Sequence, residues 1–420
     1  MRRRFGSLVL DTRPLRIVSF RRLWSSTAIT AIGSQMTAVA VPKQVYDITN
    51  SSGYVGLAGA VGLVPLLVFG LWGGAIADAV DRRKLLLVTN SGIALTSLAL
   101  WAQAAAHVNS VWVVLALLAV QQGLFAVNQP ARSASIPRLV PAELMPAANA
   151  VFATVFNFGA VFGPLLAGVF IPVLGLPTLY LIDALGLCVT MWAIWHLPAL
   201  RPLDGTTRRA GVAFVLDGLR YMATRQVLLA SFLLDMIAMI VGMPRALFPE
   251  MAERTFGDPP GGGAALGWLF AAIPIGAFVC GLLSGWLSRI SRHGVAVVAA
   301  VCAWGVAVAG FGLSHSLWLA ALFLGLAGAA DMVSMVFRGS ILQSAATDEM
   351  RGRMQGVFTV VVAGGPRLAD TLHGVLGAAV GTTATVAGGG VLVVVLALVA
   401  AALLPAFRHY RALNSDGSIR

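Results

Sequence analysis

The chain has 420 residues, 58% of them hydrophobic and only 11% charged, with a mean hydropathy of +0.85. Soluble domains carry charge on about a quarter of their residues, so this composition excludes a protein whose whole surface faces water. Cys188, Cys280 and Cys302 each stand alone in an apolar run, which gives no disulfide frame, metal site or redox centre.

A bilayer span needs about 20 mostly apolar residues, and twelve stretches qualify. In chain order they are Leu23–Tyr46, Tyr54–Asp78, Lys84–Ala106, Val111–Ala131, Leu144–Pro172 and Gly175–His196, then Gln226–Pro249, Ala264–Ser288, Gly294–Ser314, Ser316–Arg338, Met354–Val380 and Ala384–Ala406. The expected fold class is an all-α membrane protein of twelve transmembrane helices in two six-helix bundles, 23–196 and 226–406. A tail (1–22), a linker (197–225) and a second tail (407–420) complete the chain.

The net charge of +12 would suit nucleic acid if it were gathered into one patch. Instead, all but four of the 29 basic residues fall in the two tails and alternate connections, the four being Lys43, Arg245, Arg254 and Arg367. Cytoplasmic loops retain positive charge, so both termini are expected in the cytoplasm and nucleic-acid binding is not expected. The first apolar run is too long for a cleavable leader and lacks a small-residue cleavage site. Duplication is visible in the loops: Arg132 and Arg338, Glu143 and Glu349, and Asn149 and Gln355 all stand 206 residues apart. Parallel six-span repeats are a known transporter plan, with the substrate held near the midplane.

Three stretches carry a family resemblance. After the second span, Gly74, Asp78, Arg82 and Arg83 match a loop signature of a glycine, an acid four residues on and a closing pair of bases, while Ala79 and Asp81 depart from it. The matching loop of the second half, from Gly285 to Arg292, lacks the acid. The fifth span holds Gly159, Gly163, Pro164 and Gly168 in a pattern close to GxxxGPxxGG, with Ala167 replacing one glycine. Small residues four apart let helix backbones approach, and the proline frees the helix to bend. The segments 128–150 and 348–359, together with 20–24 and 33–49, complete the likeness. On these residues the chain resembles the major facilitator superfamily, in its enterobactin-exporter-like branch. The resemblance implies a monomeric secondary transporter in the bacterial cytoplasmic membrane, without cofactor or enzymatic activity, that exports a siderophore, drug or other secondary metabolite against proton entry. It also implies that Asp78 pairs across the cytoplasmic side when that side is closed. An ordinary stop-transfer loop, a plain glycine packing seam, a nutrient importer and a non-transporting membrane protein are the alternatives.

An ionisable group at a span centre costs about 2.5 to 3.5 kcal/mol, so each needs a partner, a cavity or a function. Lys43, Asp183, Asp235, Arg245, Asp331, Arg367, Asp370 and His373 are such groups. Arg367 and Asp370 are three apart, on one helical face and able to pair, with His373 a turn further on; Gly364, Gly365 and Pro366 before them predict a weakened or bent eleventh helix. An aspartate whose arginine contact exists in only one conformation is a proton-coupling device. Asp370 with Arg367 is the first candidate, followed by Asp235, Asp331 and His373; a permanent ion pair is the structural alternative. Asn149, Phe152, Phe156 and Asn157 on the fifth span and Gln122 on the fourth are candidate cargo contacts, against lipid-facing or packing roles. Asp47, Glu250, Glu253 and Asp258 read as outer-surface charges.

The orientation is testable by single cysteines. Labelling with a membrane-impermeant thiol reagent in whole cells should modify Arg254→Cys and spare Arg82→Cys; equal labelling of both would overturn the assignment.

Overall fold

The computed structural model describes residues 11–200, 212–345 and 347–411, and no strand occurs among them. Hydrocarbon offers no partner to a bare peptide group, so each segment crossing it satisfies its backbone internally as a helix. The helices are α1 (Val18–Thr49), α2 (Ser52–Ala79), α3 (Arg82–Ala105), α4 (Val111–Leu139), α5 (Met145–Leu174), α6 (Leu176–Trp195) and α7 (Val212–Ala223). They continue with α8 (Gln226–Met236), α9 (Phe248–Arg254), α10 (Ala264–Leu282), α11 (His293–Gly312), α12 (Leu317–Ala345), α13 (Asp348–Val380), α14 (Thr382–Leu403) and the short α15 (Pro405–Arg408).

Among the described residues, ten segments are long and apolar enough to cross a membrane: those of α2 to α6, of α10 to α12 and of α14, and the stretch Gln226–Arg254 that joins α8 to α9. Two further helices, α1 with 32 residues and α13 with 33, have the length but are not among these ten. Large apolar side chains lie bare on the surface, among them Val173 and Leu403 at 74% exposure and Leu282 at 71%. Such a surface suits lipid and would aggregate in water.

The chain packs as two units, one of Met1–Val41 with Val64–Ala210 and one of Pro42–Leu63 with Gly211–Arg420. In the first, α3 packs on α4 and α6, and α5 meets α1 along the glycine motif. A Cβ on Gly159 would stand 2.9 Å from Ala31 Cβ, and one on Gly163 only 2.4 Å from Gln35 Cβ. These glycines let the two backbones touch, and Trp24 Nε1 donates to Val151 O at 3.0 Å across the same seam. Pro164 and Gly168 are buried on the same helix. In the second unit, α11 packs on α12 and α14, and α10 on α12.

Two expectations about helix shape change. α13 runs unbroken through Gly364, Gly365 and Pro366. The break lies in the seventh span instead, where α8 passes into a π-helical turn (Ile237–Val241), a short connection and a 3-10 turn (Arg245–Leu247) before α9. Pro244 and Pro249 withhold backbone donors on either side of that 3-10 turn. The expected linker also contains a helix, α7, which belongs to the second unit and whose Tyr221 Oη accepts from Thr347 N at 3.4 Å.

Gly163→Ala should lower the thermal unfolding midpoint in detergent, with a loss of about 1 to 3 kcal/mol from overpacking. Gly388→Ala, where a Cβ meets nothing within 4 Å, should stay within about 0.5 kcal/mol of the parent.

Candidate functional site

The second unit gathers most of the charged groups that the spans bury. Asp235, on the last turn of α8, is 2% exposed and forms an ion pair with Arg338 of α12, itself 5% exposed. Asp331, nearly two turns earlier on α12, lies 3.6 Å from the other end of the same guanidinium. Arg338 was expected among the cytoplasmic loop arginines, at the end of its span. α12 in fact continues to Ala345, which draws Arg338 inside as the shared cation of two aspartates. Its sequence position, level with Arg132 of the first half, pointed to a loop; only the helix length corrects it.

Asp370 and Arg367 both lie on α13, and the expected direct pair between them is not formed. Among the described residues no carboxylate comes within ion-pair distance of Arg367 or Arg245. Both guanidiniums nevertheless act electrostatically on Asp370, and Arg245 acts on Asp331 as well. One oxygen of Asp370, Oδ1, is buried without a hydrogen-bond partner. The backbone of α2 comes close to this stretch: a Cβ on Gly59 would lie 2.7 Å from Asp370 Cβ, and one on Gly374 would lie 2.5 Å from Gly56 Cα. This glycine-to-glycine crossing, which the sequence reading missed, sets Asp370 against a neighbouring main chain rather than against an open face.

His373 is 2% exposed, and its ring spans two backbone carbonyls, with Nδ1 2.9 Å from Ala369 O and Nε2 3.1 Å from Val241 O. Val241 ends the π-helical turn, so the histidine occupies a carbonyl that the broken helix leaves free. Trp304 Nε1 does the same for Gly242 O at 3.0 Å. Both contacts supply partners that a helix break inside hydrocarbon demands. Asp235, the break, His373 and Asp370 are therefore linked along α8, α12 and α13.

Also in this unit, Lys43 is 1% exposed and its ammonium meets Asp47 at 2.5 Å and Glu253 as a second carboxylate. Ser52 Oγ donates to Glu250, which also pairs with Arg254 at 2.9 Å. Asp258 accepts from Ala265 N at 3.0 Å and Leu266 N at 3.1 Å at the start of α10. The four acids expected as plain surface charges are thus fixed partners: Asp47 and Glu253 neutralise a buried lysine, Glu250 joins a serine and an arginine, and Asp258 caps a helix.

In the first unit, the loop after α2 is tied down by its bases. Arg82 Nη1 donates to Ala134 O at 3.1 Å, and Arg83 Nη2 donates to Trp195 O at 2.5 Å with its guanidinium over the Trp195 ring. Asp81, the departure from the loop signature, caps α3 by accepting from Arg83 N at 2.9 Å and also holds Leu200 N at 3.1 Å. Gly74 and Asp78 lie on α2, with their surroundings outside the described residues, as are the side chains of Arg351 and Arg353. Of the cargo candidates, Asn149, Phe156 and Asn157 are exposed on α5 and Gln122 on α4 is half-buried. Phe152 is not available: it is 5% exposed and packs edge-on against Phe20, with centroids 5.6 Å apart, inside a core that includes Leu86, Leu139 and Ile194. No group of metal-ligating side chains occurs among the described residues.

These apolar helices, with their buried charge and one break capped by side chains, share the fold of known membrane transporters. Solved structures of that fold superpose on nearly the whole chain. A bacterial homologue of the human lysosomal transporter Spinster, in an inward-facing and occupied conformation, matches with a TM-score of 0.70 at 15% identity, covering 95% of this chain and 97% of that one. The nucleoside transporter NupG matches with a TM-score of 0.69 at 13% identity, covering 93% and 98%. The profile of the transmembrane secretion effector family matches residues 11–418, and the chain belongs to that family. It is 28% identical to the enterobactin exporter EntS of Escherichia coli over 414 residues, 96% of this chain and 95% of that one. The enterobactin exporter of Citrobacter koseri is similar at 28% over 408 residues. The protein is accordingly a multi-pass protein of the bacterial inner membrane, related to transporters.

Removing one member of a buried pair strands the other. Arg338→Gln should cost about 3 to 5 kcal/mol in thermal or denaturant unfolding in detergent. Adding Asp235→Asn to it should recover a large part of that loss, whereas additive losses in the double variant would show that the two residues do not depend on each other.

Proposed function

We propose that this chain is a proton-coupled exporter of a small organic compound, working by alternating access, with a siderophore, drug or other secondary metabolite as cargo. Its likeness over almost full length to enterobactin exporters supports the direction and the cargo class. The observation that carries the coupling is Asp370: a membrane-embedded carboxyl with an unfilled oxygen, two guanidiniums in range and none in contact. An acid left between contact and release can take up a proton from water in one state and, in the other, release it to water and remain as an arginine-stabilised anion.

In this reading the spans number twelve, α1 and α13 included, and form a six-helix bundle at 23–196 and another at 226–406. Both termini face the cytoplasm and the monomer is the working unit. Asp235, Arg338 and Asp331 keep α8 and α12 in register beside the break. His373 holds the break itself, and movement of α13 exchanges the partners of Asp370. Asn149, Phe156, Asn157 and Gln122 contact cargo from the first half. Gly74, Asp78, Arg82 and Arg83 form the cytoplasmic gating loop, and Gly159, Gly163, Pro164 and Gly168 form the seam along which α5 rocks on α1.

In everted vesicles with an imposed pH gradient, the parent protein should accumulate at least one member of a panel of siderophores and amphiphilic drugs. Asp370→Asn should reduce gradient-driven uptake to the level of empty vesicles while equilibrium binding of that compound persists. Full gradient-driven uptake by the variant would remove Asp370 from the coupling step.

A further inference from the structure

We propose that Asp183, in the first unit, is a second proton-binding site, separate from the Asp370 cluster. Asp183 lies midway along α6 and is 3% exposed. Its Oδ2 accepts from Ser97 Oγ of α3 at 2.8 Å and from Thr37 Oγ1 of α1 at 3.2 Å. Gln121 Nε2 of α4 donates in turn to Ser97 Oγ at 3.2 Å. On the remaining side, a Cβ on Gly33 of α1 would stand 2.6 Å from Oδ1, so the carboxyl is pressed against bare backbone.

No cation balances this acid. Among the described residues no lysine, arginine or histidine comes within ion-pair distance of it. The groups facing it from α1, α3 and α4 are two hydroxyls and an amide, none of which titrates, and the only other titratable side chains of α6 are Tyr180 and Cys188. This separates it from Asp235, which has an arginine in contact, and from Asp370, which has two in range. An uncompensated carboxylate in a low-dielectric interior costs several kcal/mol, and a proton neutralises it without displacing a helix.

The choice of partners lets the site hold both states. A hydroxyl is donor and acceptor at once. With Asp183 ionised, Ser97 and Thr37 both donate to Oδ2. With a proton on Oδ2, that O–H donates to Thr37 Oγ1, whose hydroxyl turns to accept, while Ser97 keeps its place under Gln121. Backbone amides or an arginine could not reverse their roles in this way and would fix the anion. Rotation of the Thr37 hydroxyl thus lets Asp183 Oδ2 bind one proton from water and return it to water while the packing of α1, α3 and α6 is retained.

The test is infrared spectroscopy of the purified full chain in lipid nanodiscs, titrated from ~pH 5 to ~pH 9. A carboxylic-acid C=O band should be present at the acid end and lost reversibly at the alkaline end. One component of that band should be missing in Asp183→Asn and retained in Asp370→Asn, which removes only the coupling carboxyl's own component and so separates the two sites. A band absent at every pH, or one of constant intensity throughout, would overturn the proposal. Should Asp183→Asn fail to fold, Thr37→Val serves in its place. The loss of one hydrogen bond must move the band to higher frequency, and an unmoved band counts against the assignment.

Discussion

Polar groups in hydrocarbon have no solvent to fall back on, and this constraint organises the structure more than any single contact. It makes the segments helical and forces close glycine crossings where backbones meet. It also requires every interruption to be repaired by a side chain. The break between α8 and α9 shows the consequence: Val241 O and Gly242 O are freed, and His373 and Trp304 arrive from α13 and α11 to occupy them. Residues that look like isolated polar substitutions along the sequence are therefore tied to one backbone event.

The same accounting explains what could be read from the sequence. Apolar length located the long helices, and the glycine spacing of α5 announced a seam that Gly159 and Gly163 do form against α1. Partnership was less legible, because it depends on helix length and rotation that composition does not fix. Arg338 looked like a loop base because its span was ended at that residue, and it became an internal cation once α12 ran to Ala345. Phe152 looked like a cargo contact from its helical spacing with Asn149 and Phe156, but the turn of α5 sends it to the core against Phe20. Arg367 and Asp370 had the right spacing to pair, and spacing is a permission rather than a contact.

Three kinds of buried charge emerge. Lys43 with Asp47 and Glu253, and Arg338 with Asp235, are closed sets in which each charge has its opposite in contact. Asp258 and Asp81 spend their charge on helix N-termini, where the unpaired amides favour an anion. Asp370 and Asp183 belong to neither group, one with cations near but not touching and the other with none. Closed sets resist a change of protonation because it would strand a partner. Open ones can change at lower cost, and for that reason the functional reading rests on the acids that the packing leaves incomplete.

The packing of α1 and α2 bears on how such changes could be used. Each helix serves both units, with the handover between Val41 and Pro42 in α1 and between Leu63 and Val64 in α2. A proline stands at or beside each handover, Pro42 inside α1 and Pro65 inside α2. Proline deletes the hydrogen bond to the preceding turn and crowds its carbonyl, so both helices are weakest where their allegiance changes. Below the proline in α1 lie Gly33 and Thr37, against Asp183; above it lies Lys43, locked to Glu253. Thr37, whose hydroxyl rests on the cation-free acid, therefore stands little more than one helical turn before Pro42 on the same helix.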